Sequence, residues 1–223
     1  MNYDWITFDC YGTLIDWETG IAGAFEKVAR TSGYSFDRPR ILTLYKQHEM
    51  TEELGWSKYR EVLTRVAYKV CGELGWKLSD YEFIADSLPR WRPFMDTNPA
   101  LERLSKKFKL GILSNVDNNL LDLTRRHFTI PFQLIVTAEQ VRSYKPDPGH
   151  FREARKKIGS ERWLHAAQSF YHDVMPCSRL AIDAAWINRN QEVPKDPKIV
   201  PLHVARDLNA FANWVEGTEI DRI

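Results

Sequence analysis

Residues Trp5–Leu14 read WITFDCYGTL, an apolar run that turns abruptly into Asp9, Tyr11, Gly12 and Thr13. A carboxylate at the mouth of a buried strand is costly unless something pairs with it. Asp9 is therefore either a turn or helix-capping acid, or a nucleophile or metal ligand at the C-terminal end of a parallel strand. Open α/β sheets place their sites at such strand ends. The rest of the chain decides between the two.

Working outward, short apolar strand candidates recur at Trp5–Asp9, Leu110–Ser114, Leu134–Val136, Leu164–Ser169 and Ala184–Asn188. Each is bounded by turn or polar residues, as strands covered on both faces are. Helical patterns lie between them. One starts at Pro99 and carries Leu101, Leu104 and Phe108; another is capped by Asn118 or Asn119; a third starts near Pro148, with Phe151, Ala154 and Ile158 on one face. Strands alternating with helices predict a parallel sheet wound with right-handed crossovers.

Roughly a hundred residues separate the first two strands, far more than one crossover requires. That segment holds three amphipathic helical patterns, RPRILTLYKQHEMTEEL (38–54), WSKYREVLTRVAYKVCGEL (56–74) and SDYEFIADSLPRW (79–91). The predicted class is α/β: a Rossmann-like parallel-sheet core of residues 1–14 and 97–223, with a helical cap, residues 15–96, inserted after the first strand.

Composition narrows the function. At 223 residues, 43% hydrophobic and 27% charged, the chain has the make-up of an ordinary globular protein. A net charge of +1 gives no field to draw nucleic acid or an anionic membrane, and no apolar run approaches the roughly 20 residues that span a bilayer. The start is not that of a signal peptide, and Cys10, Cys71 and Cys177 are odd in number and far apart. These features predict a cytoplasmic protein with reduced thiols, without nucleic-acid or membrane partners.

Three further polar signals follow later strands: Ser114 and Asn115 in GILSNVD, Lys145 in VRSYKPDP, and Asp173 in SFYHDVMP. Singly each is weak, because such residues usually make turns, caps or solvated surface. As an ordered set, one group per strand end, they make chemical sense. Lys145 would hold Asp9 ionised and ready to attack. Ser114 and Asn115 would donate hydrogen bonds to an anionic substrate, and Asp173 would orient Lys145 or activate a water. His172 is either a histidine packed under the cap or a proton donor to a leaving group.

The segments FDCYGTL, LSN and YKPDP, with the acid after the fourth strand, resemble the haloacid dehalogenase (HAD) superfamily. Most of that superfamily are magnesium-dependent phosphatases, with a second aspartate two residues after the nucleophile and a GDxxxD-like fourth motif. Here Tyr11 and Ser169 stand at two of those acid positions, which leaves a poor magnesium site. Tyrosine at the first position resembles the L-2-haloacid dehalogenase branch, which works without metal. FDCYGTLIDWETGI is also similar to the opening of azetidine-2-carboxylate hydrolase.

The resemblance implies an (S)-2-haloacid dehalogenase with no cofactor, acting on a small 2-substituted carboxylic acid as a homodimer. Alternatives are hydrolysis of azetidine-2-carboxylate or fluoroacetate, or a phosphatase that would need magnesium. It implies Asp9 as nucleophile, Thr13 positioning it, Lys145 as its ionic partner and Asp173 helping to activate water, with Ser114 and Asn115 on the substrate carboxylate. Tyr11 would stand at the leaving-group side as wall or donor.

The chain departs from the branch in three places. Lys46 stands roughly where a cap arginine would cradle substrate, Phe151 replaces a tyrosine, and Gln168–Ser169–Phe170 replaces a Ser-Ser-Asn run. Trp56, Tyr59, Trp91 and Phe94 are candidates for the cap side of the pocket.

Overall fold

The computed structural model describes residues 2–217; Met1 and residues 218–223, the outer ends of the two expected core segments, lie outside the described residues. Six parallel strands form one sheet: β1 (Trp5–Phe8), β2 (Lys109–Ser114), β3 (Leu134–Thr137), β4 (Trp163–Ala167), β5 (Asp183–Ile187) and β6 (His203–Ala205), in the order β3-β2-β1-β4-β5-β6. The chain winds outward from β1 to β3 and returns through β4 to β6. The order therefore reverses between β1 and β4, and the crevice such a reversal opens lies at their C-terminal ends. Phe8 is in register with Ile112 on one side and Ala166 on the other. Asp9 is the first residue beyond a level strand edge. Every residue of β1 and β4 is buried, which explains their mostly apolar character, with Thr7 and His165 the polar exceptions.

Between β1 and β2 lie α1 (Trp17–Ser32), α2 (Arg38–Glu52), α3 (Tyr59–Leu74) and α4 (Phe83–Ser87). These pack on one another, α2 along α3 and both α1 and α3 on α4. The stripe Tyr59, Val62, Leu63, Val66 and Val70 of α3 is buried, as its spacing predicts. The outgoing and returning chains run side by side: Asp16 N–H donates to Arg92 O at 2.9 Å and Phe94 N–H to Leu14 O at 3.1 Å. Six further helices belong to the sheet half: α5 (Thr97–Leu104), α6 (Asn118–Thr124), α7 (Ala138–Val141), α8 (Gly149–Ile158), α9 (Met175–Arg179) and α10 (Leu208–Glu216).

Three elements escape the sequence patterns. Helix α1 follows the nucleophile motif without a break, its cap Asp16 accepting from Thr19 N–H, and two internal glycines dilute its stripe. Strand β6 is a three-residue edge strand, partly exposed, with no readable period. Helix α10 lies beyond the last strand read from the sequence and packs on α5. Strand β4 also stops at Ala167, not Ser169, because Phe170–Val174 makes a π-helical turn that Ser169 caps.

Neither Asn118 nor Asn119 caps α6. The cap position is Asp117, whose side chain is engaged elsewhere, while Glu139 accepts the Asn118 N–H at 2.8 Å. The two Asp117 oxygens accept the first N–H groups of α3, Tyr59 at 2.8 Å and Arg60 at 2.9 Å. Lys58, the local cap position of α3, makes no side-chain cap bond. A residue on the loop after β2 thus caps a helix of the other half, at the end where a carboxylate also meets the helix dipole favourably. We expect Asp117→Ala to lower stability by about 1–2 kcal/mol in urea titrations, and Asp117→Asn to lose less, since its amide oxygen still accepts one bond. A change below 0.3 kcal/mol, on the order of ordinary surface substitutions, would refute this trans-cap.

Candidate active site

Asp9 follows β1 and enters a turn built by its own motif. Gly12 N–H donates to Ile15 O at 2.8 Å, and Leu14 N–H to Cys10 O at 2.8 Å. Gly12 lies at φ 101°, a region that disfavours side chains, and a Cβ there would meet Trp17 Nε1 at 3.2 Å. The turn brings Thr13 back beneath Asp9. Its hydroxyl donates to Asp9 Oδ2 at 2.9 Å and accepts from Gln168 N–H at 2.9 Å. Arg189 holds the same turn from outside, donating to Thr13 O at 2.9 Å while pairing with Asp96 at 3.0 Å.

Lys145 arrives from the loop after β3. Asn115 grips its backbone in both directions, accepting the Lys145 N–H at 2.7 Å and donating to Lys145 O at 3.1 Å. The Lys145 ammonium, 1% exposed, donates to Asp9 Oδ1 at 2.9 Å, Asp173 Oδ1 at 2.6 Å and Leu113 O at 2.9 Å. An ammonium has three donors and no acceptor, so Lys145 is saturated and has none left for substrate.

Asp173 is held from below. Trp163 Nε1–H donates to Thr7 Oγ1 at 2.7 Å, Thr7 bonds His165 Nδ1 at 2.8 Å, and His165 Nε2 bonds Asp173 Oδ1 at 3.0 Å. An indole only donates and a carboxylate accepts, which assigns the proton of His165 to Nε2 and makes Thr7 the donor to Nδ1. Asp173 Oδ2 and Ser114 Oγ are both buried and have no hydrogen-bond partner among the described residues.

The charges follow from this wiring. Burial drives the Lys145 ammonium toward neutrality, but Asp173 and Asp9 outweigh it and hold its pKa above the ordinary lysine value. Burial also works against the Asp173 carboxylate, yet Lys145 and the His165 bond hold it down to about 2. For Asp9, burial prevails and its pKa is raised, with Asp173 adding to the shift and Lys145 and Thr13 drawing it back. A lone ammonium thus serves two buried carboxylates unequally.

A cavity of about 250 Å³ opens above Asp9. Of the expected residues, Asp9, Tyr11, Lys46, Ser114, Asn115, Lys145, His172 and Asp173 line it, while Thr13 sits behind Asp9. Tyr11 presents its ring as a wall. Thr124 spends its proton on Leu120 O, so the Tyr11 hydroxyl donates to Thr124 at 2.9 Å, and that donor is turned away from the cavity chemistry. Lys46 is bound to Glu18 at 2.6 Å over the Trp17 ring. His172 lies 3.5 Å from Glu53, and burial lowers its pKa to about 4. A histidine held at that value is uncharged near pH 7, which suits the packed reading and leaves the donor reading to its neutral N–H. Among the aromatic candidates Tyr59 and Trp91 line the cavity; Trp56 packs on Tyr144 and Phe94 under Arg189.

The sequence reading missed Thr7, His165, Arg189 and two cavity acids, Glu49 and Glu53. His165 carried a signal, a titratable ring in the middle of a buried strand. Magnesium does not fit this donor set. Tyr11 and Ser169 offer no carboxylate, the Lys145 ammonium lies between Asp9 and Asp173, and no group of three His, Cys, Asp or Glu suits a metal among the described residues.

The family model for haloacid dehalogenase-like hydrolases matches residues 6–163, and the chain belongs to that family. It is 29% identical over 225 residues to an (S)-2-haloacid dehalogenase of Pseudomonas putida, covering 96% of this chain and 97% of the relative. It is also 25% identical over 199 residues to a glyceraldehyde 3-phosphate phosphatase of Methanothermobacter thermautotrophicus, covering 82% and 84%. Among solved structures, the L-2-haloacid dehalogenase from Xanthobacter autotrophicus with chloropropionic acid covalently bound shares the fold. The TM-score is 0.79 at 19% identity, over 97% of this chain and 100% of that one. No helix among the described residues is long and apolar enough to cross a membrane, and the three cysteines are free and buried.

The depressed Asp173 value carries a pH signature. An unfolded aspartate titrates near 3.9. The stabilisation from Asp173 is therefore present above about pH 4 and lost as pH falls through 2, amounting to about 2 kcal/mol. Urea unfolding of wild type and Asp173→Asn at stepped pH should show a gap that is widest at neutrality and closes in that window. A gap constant down to pH 2 would contradict the pairing.

Proposed function

We propose that this protein hydrolyses a short 2-substituted carboxylic acid at C2 through an ester on Asp9, without metal, with (S)-2-haloacids as the leading substrates. The observation that carries this reading is the Lys145 ammonium bonded to both Asp9 and Asp173. It gives both carboxylates a positive partner from the chain itself, and Tyr11 and Ser169 add no carboxylate for a metal. The named dehalogenase relative supports the substrate class. Residues 15–96 act as the cap that closes the cavity, and residues 1–14 and 97–223 as the core. We place the enzyme in the cytoplasm, as a homodimer.

The Asp9 carboxylate attacks C2 from the side opposite the leaving group. A carbon–oxygen bond forms, the carbon–halogen bond breaks, and halide leaves with the electron pair. Thr13 and Lys145 fix the two Asp9 oxygens for that approach, and the raised Asp9 pKa makes its ionised form the stronger nucleophile. Ser114 Oγ is the buried donor left for the substrate carboxylate. Water then attacks the ester carbonyl of Asp9. Asp173 Oδ2, the free acceptor of the cluster, orients that water. A carboxylate held at about 2 is suited to orienting a water rather than keeping its proton. One water hydrogen ends on the 2-hydroxy acid and the other reaches solvent as a proton.

Single turnover in H₂¹⁸O tests the nucleophile. Excess enzyme with (S)-2-chloropropionate should give unlabelled lactate and place the label on Asp9, read by peptide mass spectrometry across Trp5–Leu14. Label in the first lactate with none on Asp9 means direct attack by water. A second expectation concerns metal: chloride release should be unchanged by EDTA or added magnesium. Hydrolysis of p-nitrophenyl phosphate that requires magnesium and exceeds chloride release would favour the phosphatase alternative instead.

A further inference from the structure

The cavity above Asp9 is rich in acids. Asp9, Glu18, Glu49, Glu53, Asp173 and Glu192 line it, against the ammonium groups of Lys46, Lys145 and Lys195. Two of these cations are already committed, Lys46 to Glu18 and all three donors of Lys145 to the buried cluster. Lys195 is exposed and sits over the Tyr171 ring at 5.3 Å. A substrate that is only an anion would meet an excess of negative charge.

Glu49 and Glu53 lie one helical turn apart at the C-terminal end of α2, where they share one face. Tyr45 and Tyr59 both donate to the same Glu49 oxygen, Oε1, at 2.7 and 2.5 Å. Its Oε2 has no hydrogen-bond partner among the described residues. The Glu53 side chain is 9% exposed, and its nearest basic partner is the neutral His172 at 3.5 Å. No lysine or arginine pairs with either glutamate among the described residues. Burial raises both carboxyls; at Glu53 the charges of Glu49 and Asp9 add to the rise while Lys145 and a hydrogen bond from Asn115 draw it back, and at Glu49 the Tyr59 and Tyr45 hydroxyls and the Lys46 charge draw it back. Two adjacent, partly buried carboxyls without a lysine or arginine partner, lining the same cavity as Asp9, form half of a recognition site. The partnerless, buried Ser114 hydroxyl on the cavity wall is the other half, a donor for a carboxylate.

We propose that Glu49 and Glu53 bind an ammonium group of the substrate, so that among the 2-substituted acids processed at Asp9 the preferred ones also carry an amine. This rests on the reading of Asp9 as the attacking group and adds the substrate's second charge. The cation would fit between Glu49 Oε2 and Glu53, where its charge lets both carboxyls ionise together. The acid's own carboxylate takes the Ser114 hydroxyl. A cavity of about 250 Å³ has room for a small acid that spans from the Ser114 hydroxyl to the two glutamates.

Calorimetric titration of the full-length protein at pH 7 with β-alanine, propionate and propylamine tests this without requiring turnover. β-Alanine should bind at least ten-fold more tightly than either propionate or propylamine. Glu49→Gln and Glu53→Gln should each cut its affinity several-fold while leaving or raising that of propionate. A merely structural loss would weaken both ligands together, and thermal melting confirms that the variants fold. Equal affinity for β-alanine and propionate, no binding of β-alanine, or a preference that survives both substitutions overturns the proposal. The label on Asp9 is read independently, so failure of the nucleophile and failure of cation recognition are separate results.

Discussion

One ammonium held between two buried carboxylates organises this site. Lys145 brings a single positive charge to two negative ones in a place with almost no water, and its third donor is anchored on the β2 carbonyl of Leu113. Removing one partner of such a cluster strands a charge, at a cost of about 3–5 kcal/mol. Much of the surrounding structure keeps it in place: the Gly12 turn presents Asp9, the Asn115 amide grips the Lys145 backbone, and the His165 column fixes Asp173. The result is an imbalance: Asp173 keeps its charge down to strongly acid pH while Asp9 is left the more basic carboxylate. Two carboxylates bonded to one ammonium are thus given different basicity by wiring alone.

The strand ends supply the reacting groups, and the helices between β1 and β2 supply the walls. Trp17, Tyr45, Tyr59 and Trp91 shape the cavity, with Glu49 and Glu53 set among them. The Asp117 carboxylate on the α3 terminus ties those walls to the loop that also bears Asn115. The walls and the floor of the cavity are therefore built by different stretches of chain, tied together at the Asp117 bonds.

Much of this was legible in the sequence because each of these polar groups lies at or beyond the end of a short, mostly buried strand. Asp9 and Ser114 stand out at the ends of apolar runs, Lys145 and Asp173 in the segments that follow two others, and the sheet's strand order brings them together. The long segment after β1 could only be an insertion. What was hidden depends on tertiary contact. Asp117 looks like the cap of the helix it precedes, and nothing local says that it serves α3. Arg189 reaches Thr13 across the whole core. Lys46 sits at a suggestive position, yet Glu18, far away in sequence, claims it. Glu49 and Glu53 belong to a polar run that reads as a solvated face until folding brings it over the strand ends. Strand β6 was too short to have a period at all.

The column beneath Asp173 has a direction. Each donor in it points the same way, from the Trp163 indole to Thr7, from Thr7 to His165, and from His165 to Asp173. A chain of this kind relays protons only if its far end can accept one, and an indole N–H cannot. The column is a wire closed at its outer end: it orients charge and conducts nothing. A proton released above Asp173 therefore has no exit along this column, and the column serves the site as a fixed strut of oriented dipoles instead.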